Sequence, residues 1–184
     1  MKQDLGKIKI IKGLAFVLLV ALCSYKVLVF QNWQIAQGYT IKFEGKYASG
    51  SYSDLAGQIS FDPDSLDASK FDITIDVASI DTGIELKNKH AKSDKWLDAE
   101  QFPKIHFTSS KVMKRDSGFV VRGILDFHGR KKEIAIPFSF QEESGVGKFY
   151  GKFKVNRGDF DIGKTTGKES DSTTVEVFVP VFGR

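Results

Sequence analysis

From Tyr39 to Val181 apolar and polar side chains alternate along the chain, the pattern of strands that each bury one face. Phe71, Ile73, Ile75 and Val77 alternate with Asp72, Thr74 and Asp76. Phe119, Val121, Leu125 and Phe127 share a face with Gly123, and Ile134, Ile136, Phe138 and Phe140 form the next. Phe149, Phe153 and Val155 follow with Gly151 between them, and Val175, Val177, Val179 and Val181 close the series. Tyr39, Ile41 and Phe43 read the same way, as do Ile59 and Phe61, and the segment Lys104 to Met113 brings the set to about eight strands. Turn chemistry separates them at Asp62-Pro63-Asp64, His128-Gly129 and Ser144-Gly145-Val146-Gly147.

One stretch breaks the period. Between Thr82 and Gln101, Ile84, Leu86, Trp96 and Leu97 sit among many charges with no repeat of two, which predicts one or two short helices packed against or across one end of the strands. Gln31 to Gly38 reads as a short linker. Eight antiparallel strands in succession close into a barrel or split into a sandwich. A barrel of that size is either filled by side chains or holds one small ligand, and alternation alone is compatible with both. Sixteen Phe against two Met favour stiff aromatic walls, although for any single Phe ordinary core packing is the simpler reading.

Composition changes the picture mainly at the N-terminus. The chain has 184 residues and a formal charge of +4, and residues 1–30 carry all of that charge: Lys2, Lys7, Lys9, Lys12 and Lys26 against Asp4. The remaining 22 basic and 22 acidic residues cancel, which leaves no electrostatic footprint for nucleic acid. Lysines up to Lys12 precede an uncharged run from Gly13 to Tyr25, the grammar of a secretory signal and shorter than a spanning helix needs. If Lys26 snorkels, residues 13–30 serve instead as an uncleaved hydrophobic helix that anchors the protein to the inner membrane. A third reading, a lipoprotein on Cys23, is weakened by Leu22 where such a signal wants a small residue. The expected division is therefore a signal peptide or membrane anchor over 1–30, a linker over 31–38 and a β-barrel over 39–184, located in the periplasm or secreted. Cys23 is the sole cysteine, so the body forms no disulfide.

The segments Leu55 to Pro63, Val77 to Gly83, Lys87 to His90, Trp96 to Ser109, Gly123 to Gly129 and Asn156 to Gly163 together resemble the YceI family of lipid-binding barrel proteins. Leu55-Ala56-Gly57-Gln58-Ile59-Ser60-Phe61-Asp62-Pro63 is similar to that family's second strand and its aspartate-proline turn. Val77-Ala78-Ser79-Ile80-Asp81-Thr82-Gly83, Lys87-Asn88-Lys89-His90 and the run from Trp96-Leu97-Asp98 through Phe102-Pro103-Lys104 to Ser109 follow the order of its helix-to-strand crossing. Gly123 to Gly129 resembles its hairpin, and Asn156-Arg157-Gly158-Asp159-Phe160-Asp161-Ile162-Gly163 its late arginine-aspartate element. The family usually has an arginine-aspartate pair ahead of the histidine and a leucine after it, where this chain has Lys87-Asn88-Lys89 and Ala91; it often has glycine where Asp161 stands. The resemblance implies an all-β, lipocalin-like, extended eight-stranded antiparallel β-barrel with a short helical excursion. It also implies binding of a polyisoprenoid or similar long-chain lipid outside the cytoplasm.

Catalytic and metal chemistry are poorly represented. His90, His106 and His128 show none of the close spacings of a zinc site, and a metal reading requires the fold to gather all three. No Gly-x-Ser-x-Gly elbow occurs, and the pairs Asp62/Asp64 and Asp159/Asp161 stand in turn contexts that favour local backbone bonding. Arg157 with Asp159 reads as an ion pair or turn bond, or as a charged clamp at a barrel mouth. Trp96 and Phe102 are candidates to cap one end of a cavity. The expectation is a binding protein without cofactor or catalytic residues, whose ligand is a long-chain isoprenoid lipid or isoprenoid quinone. Its tail would lie along Phe43, Ile59, Ile73, Ile75, Phe107, Val121, Leu125, Ile136, Phe138, Phe153, Val177 and Val179. Membrane contact would come through an uncleaved leader. The alternative is a structural or stress-related interaction protein with a solid barrel core and no ligand.

Overall fold

The computed structural model describes residues 31–168 and 171–183, so the leader and its signal or anchor reading lie outside the described residues. In chain order the strands are β1 (Asn32–Ile35), β2 (Thr40–Glu44), β3 (Ser49–Tyr52), β4 (Leu55–Ser60), β5 (Lys70–Asp76), β6 (Ile80–Asp81), β7 (Lys104–Arg115), β8 (Gly118–Phe127), β9 (Arg130–Glu143), β10 (Val146–Asn156) and β11 (Ser172–Gly183). The helix α1 (Glu85–Lys92) lies between β6 and β7.

Hydrogen bonding runs β1-β4-β5-β7-β8-β9-β10-β11, and β11 pairs back onto β1, so eight antiparallel strands form a closed ring without an edge. The short strands continue three of these staves. β2 extends β1 along β11, β3 extends β4 along β2, and β6 extends β5 along β3. The result is the eight-stranded barrel that the alternation and the family-like segments predict.

The first stave bends at Gln37-Gly38, where Gly38 adopts a φ of 89° that costs a side-chain-free residue little. Backbone pairing lapses there, and the Tyr39 hydroxyl restores it by accepting from the Leu55 amide at 3.1 Å and donating to the Ser53 carbonyl at 2.7 Å. Residues 31–38 are therefore not a linker. Trp33, 3% exposed, sits opposite Ile59 on β4 and Gly183 on β11, so this stretch is the strand that closes the ring. Gln31-Asn32-Trp33-Gln34-Ile35-Ala36 has too few apolar residues to set a period, so alternation does not mark this strand.

Aromatic side chains fill one end of the barrel. Phe61, 1% exposed, has ring contacts with Phe71, Phe119, Phe138, Phe140 and Phe149 at centroid separations of 5.0–6.1 Å. Trp33 seals the same end, edge-on to Phe140 and donating its indole N–H to the Phe61 carbonyl at 2.8 Å. Edge-to-face pairs of this kind add to the burial of the rings themselves.

Gly123 marks a close approach on β8. A Cβ there would stand 2.3 Å from the Thr108 carbonyl oxygen and 2.8 Å from the Phe107 ring, beside the β7 irregularity between Ser109 and Lys111.

The excursion over Thr82–Gln101 contains α1 followed by turns. Asn88 ties the helix to the strand before it: its side-chain oxygen accepts from the Thr82 amide at 2.7 Å and the Thr82 hydroxyl at 2.6 Å, and its amide donates to Asp81 at 3.1 Å. Asn88 thus anchors the element in which the family's usual arginine-aspartate pair is missing. The hydrogen bonds from the Gly83 amide and Asn88 hold the Asp81 carboxyl below its usual range.

Candidate ligand cavity

Opposite the aromatic plug the barrel is hollow. The cavity has a volume of about 440 Å³, inside the range of natural small-molecule sites. Phe71, Phe138 and Phe149 are at once members of the plug and part of the lining, and so form the floor. Every strand except β1 contributes to the wall, and the β-period of two explains why: from β4, β5, β7, β8, β9, β10 and β11 alternate side chains point inward. No Asp or Glu is among the lining residues.

All twelve residues expected to meet a tail line this one space: Phe43, Ile59, Ile73, Ile75, Phe107, Val121, Leu125, Ile136, Phe138, Phe153, Val177 and Val179. Their convergence follows from register. Ile73 faces Phe107, Phe107 faces Leu125, Ile136 faces Val121, and Val177 faces Ile41, so one inward residue on each strand brings its neighbours onto the same face. Ile41, Ile80, Ile105, Phe127, Ile134 and Val155 also line the cavity, and the same alternation reaches most of them. Tyr52 is the notable addition. It lies on Ser49–Tyr52, a strand with one large side chain in four and therefore without a legible period.

At the mouth the cavity reaches the surface between the β2–β3 turn, α1 and the segment after β10. Lys46, Tyr47, Lys87, His90, Trp96 and Arg157 line it there, with Lys46, Tyr47, Lys87 and His90 exposed. Arg157 is the centre of this rim. Its guanidinium lies 4.9 Å from the Tyr47 ring centroid and 5.6 Å from that of Trp96, donates to the Ile162 carbonyl at 2.9 Å and reaches Asp171 at 3.4 Å. Delocalised charge and a planar face make Arg suited to this stacked and bonded position.

Asp171 is only 1% exposed, yet four donors converge on it: Arg157, the Thr166 amide at 2.6 Å, the Thr166 hydroxyl at 3.1 Å and the Lys168 amide at 3.3 Å. Burial pushes its carboxyl up, and the bonds from Thr166, Lys168 and Gly167 outweigh that, leaving it below its usual range. Trp96 lies against Gly163, whose φ of 62° and missing Cβ make room for the indole, because a Cβ there would stand 2.9 Å from the ring.

The charged element after β10 thus works differently from the pairing that its sequence suggests. Arg157 pairs with Asp171 rather than with Asp159, and it belongs to the mouth. Asp161, where the family often has glycine, adopts a φ of 53° and accepts a hydrogen bond from Arg130 at 2.7 Å. Trp96 stands at the mouth as a cap, whereas Phe102 packs on His128 at 4.7 Å.

The histidines go to three places. His90 is at the mouth on α1. His106 on β7 sits 2.8 Å from Asp72, and His128 in the β8–β9 turn donates from Nδ1 to the Phe160 carbonyl at 3.0 Å. Among the described residues no three His, Cys, Asp or Glu side chains gather as a metal cluster. Asp72 and Thr108 both approach the same nitrogen of His106, so they do not form a relay through the ring. Asp62 accepts from the Asp64 amide at 2.8 Å, a local turn bond.

Comparison with known proteins places this geometry. The family model described as the YceI-like domain matches residues 33–181. A UPF0312 protein of Vibrio vulnificus strain YJ016 is 32% identical over 123 residues, which covers 63% of this chain and 65% of that relative; the match thus spans just under two thirds of the relative's length. Among solved structures, Burkholderia cenocepacia BcnA superposes with a TM-score of 0.74 at 22% identity, covering 80% of this chain and 99% of BcnA. A polyisoprenoid binding domain from Saccharophagus degradans, implicated in plant cell wall breakdown, gives a TM-score of 0.62 at 14% identity over 84% of this chain and 99% of that domain. At these identities the two structural likenesses are likenesses of fold.

Proposed function

The chain belongs to the YceI-like family, and from that premise we propose that its barrel holds one long-chain isoprenoid lipid, a polyisoprenoid or an isoprenoid quinone, as an extracytoplasmic carrier or buffer. The observation that carries the reading is the hollow half of the barrel: about 440 Å³ walled by aliphatic and aromatic side chains, floored by Phe71, Phe138 and Phe149, and rimmed by polar groups at one end only. A polyprenyl tail in such a space loses water from its whole length, at roughly 25 cal/mol for each Å² of apolar surface removed. Affinity then needs few polar contacts.

The rim suits the other end of an amphiphile. Lys46, Lys87 and His90 are exposed there and can meet a polar head, while Tyr47, Arg157 and Trp96 form a lip over the tail. The fold shared with a polyisoprenoid binding domain supports the same class of ligand. The N-terminal leader supports delivery beyond the inner membrane, to the periplasm or the exterior, with residues 13–30 as a tether where the leader is retained. On this reading the protein is a binding protein and performs no catalytic step. The solid-core alternative fits the plugged end alone.

Protein purified from its own source and extracted with organic solvent tests the proposal. Recovery of an isoprenoid lipid in amounts approaching one per chain is the expected result; lipid-free protein with a packed, dry interior overturns it.

A further inference from the structure

One hydroxyl on the cavity wall has no hydrogen-bond partner among the described residues. Tyr52 ends β3 opposite Ile41 on one side and Ile80 on the other, and both of those residues line the cavity, so the shared register turns the phenol inward. Its ring leans on Phe43 with centroids 5.5 Å apart. Among the described residues no donor or acceptor reaches its hydroxyl, which is not sealed within the wall, and the side chain borders the cavity. Tyr39 makes the contrast plain, since its hydroxyl both donates and accepts within the barrel wall. Burial alone pushes the Tyr52 hydroxyl well above the ordinary tyrosine range, so it remains a neutral donor at any physiological pH.

The position of this donor matters. Lys46, Lys87, His90 and Arg157 stand at the rim, whereas Tyr52 stands among Ile41, Phe43 and Ile80 on the wall. A tail made only of hydrocarbon that fills the cavity leaves the hydroxyl buried without a partner, and an unsatisfied buried donor is costly. A tail that presents an acceptor oxygen there removes the cost and adds a hydrogen bond. Sites built around a buried polar group discriminate strongly against analogues that leave it unpaired.

We propose that Tyr52 is a specificity-determining residue: its hydroxyl donates to a neutral acceptor oxygen, of the carbonyl or ether class, carried by the lipid inside the barrel. The cavity thereby selects oxygen-bearing isoprenoids over plain isoprenoid hydrocarbons. This rests on the lipid-binding reading and narrows the class of lipid.

The test uses two probes of matched length, an eighteen-carbon isoprenoid methyl ketone and the corresponding isoprenoid hydrocarbon, with lipid-stripped wild-type protein and Tyr52→Phe. Wild type should bind the ketone about three- to tenfold more tightly than the hydrocarbon, the size of one net hydrogen bond. Tyr52→Phe should abolish that ratio by weakening the ketone while hydrocarbon affinity holds or rises. The carbonyl stretch of the bound ketone should move below its value in alkane for wild type, and return to that value in the variant. An equal preference in both proteins, or a wild-type carbonyl stretch at the alkane value, overturns the assignment. If Tyr52→Phe unfolds, the wild-type spectrum alone decides. Wild-type binding of the hydrocarbon with no preference for the ketone overturns the role of Tyr52 and leaves the lipid reading standing. Binding of neither probe overturns both.

Discussion

Truncating Phe61 and Ile75 to alanine, one at a time, separates the packed end of the barrel from the hollow one. Phe61 is 1% exposed and touches five other aromatic rings, so Phe61→Ala leaves a void that rigid neighbours cannot close. The expected loss is about 3–5 kcal/mol, the range for a fully packed Phe. Ile75 is half-buried and borders the cavity, so its side chain has packing partners on one side only. Losing three carbons from that wall should cost the lipid-free protein about 1–2 kcal/mol, well short of a packed Ile. Affinity should fall as well, because about 40 Å² of wall no longer meets the tail; at roughly 25 cal/mol per Å² that is on the order of 1 kcal/mol, or about fivefold in Kd. Equilibrium urea unfolding of lipid-stripped protein gives the first pair of values, and titration with a fluorescent isoprenoid gives the last. Equal stability losses at the two positions, with no change in affinity for Ile75→Ala, would refute the division of the barrel into plug and cavity.

The rim makes two further predictions. The Asp171 carboxyl is held below its ordinary value of 3.8 in the folded protein, so its contribution is complete above that value and is lost as pH falls through it and below. Protection of the Thr166 and Lys168 amides against hydrogen exchange, taken relative to the intrinsic rate at each pH, should therefore fall as pH drops below the ordinary carboxylate range, and Asp171→Asn should show the lowered protection already at pH 7; unchanged protection in the variant contradicts the role given to the carboxylate. Arg157→Lys keeps a cation near Asp171 but loses the planar stack on Tyr47 and Trp96, so release of bound lipid should quicken about three- to tenfold with little change in global stability. Stopped-flow displacement measures this, and an unaltered release rate counts against a lip at the mouth.

The barrel was legible because its principal signal is local and periodic. From β5 to β11 each inward face repeats every second residue, and antiparallel register then forces those faces together, which is why twelve residues chosen from separate segments line one cavity. What escaped depends on contacts without a period. β1 closes the ring with Trp33 as its one buried side chain, and β3 contributes Tyr52 from a sequence of serines and a glycine. The partner of Arg157 is Asp171, fourteen residues on, where proximity in sequence pointed to Asp159. Hollowness was also beyond the pattern: Phe61, Phe119 and Phe140 fill one end while Phe43, Phe107 and Phe153 border open space, though all six lie on alternating faces. The difference lies in how rings from non-adjacent strands meet, which sequence spacing does not encode.

The most direct measurement is native mass spectrometry of protein isolated from its own source, with tandem dissociation of the intact ion. A hollow barrel that carries an isoprenoid should appear as one species heavier than the chain by a single lipid, and should release a fragment whose mass is built from five-carbon units. A bare chain mass, with nothing recovered on extraction and no uptake of added isoprenoid, would contradict it.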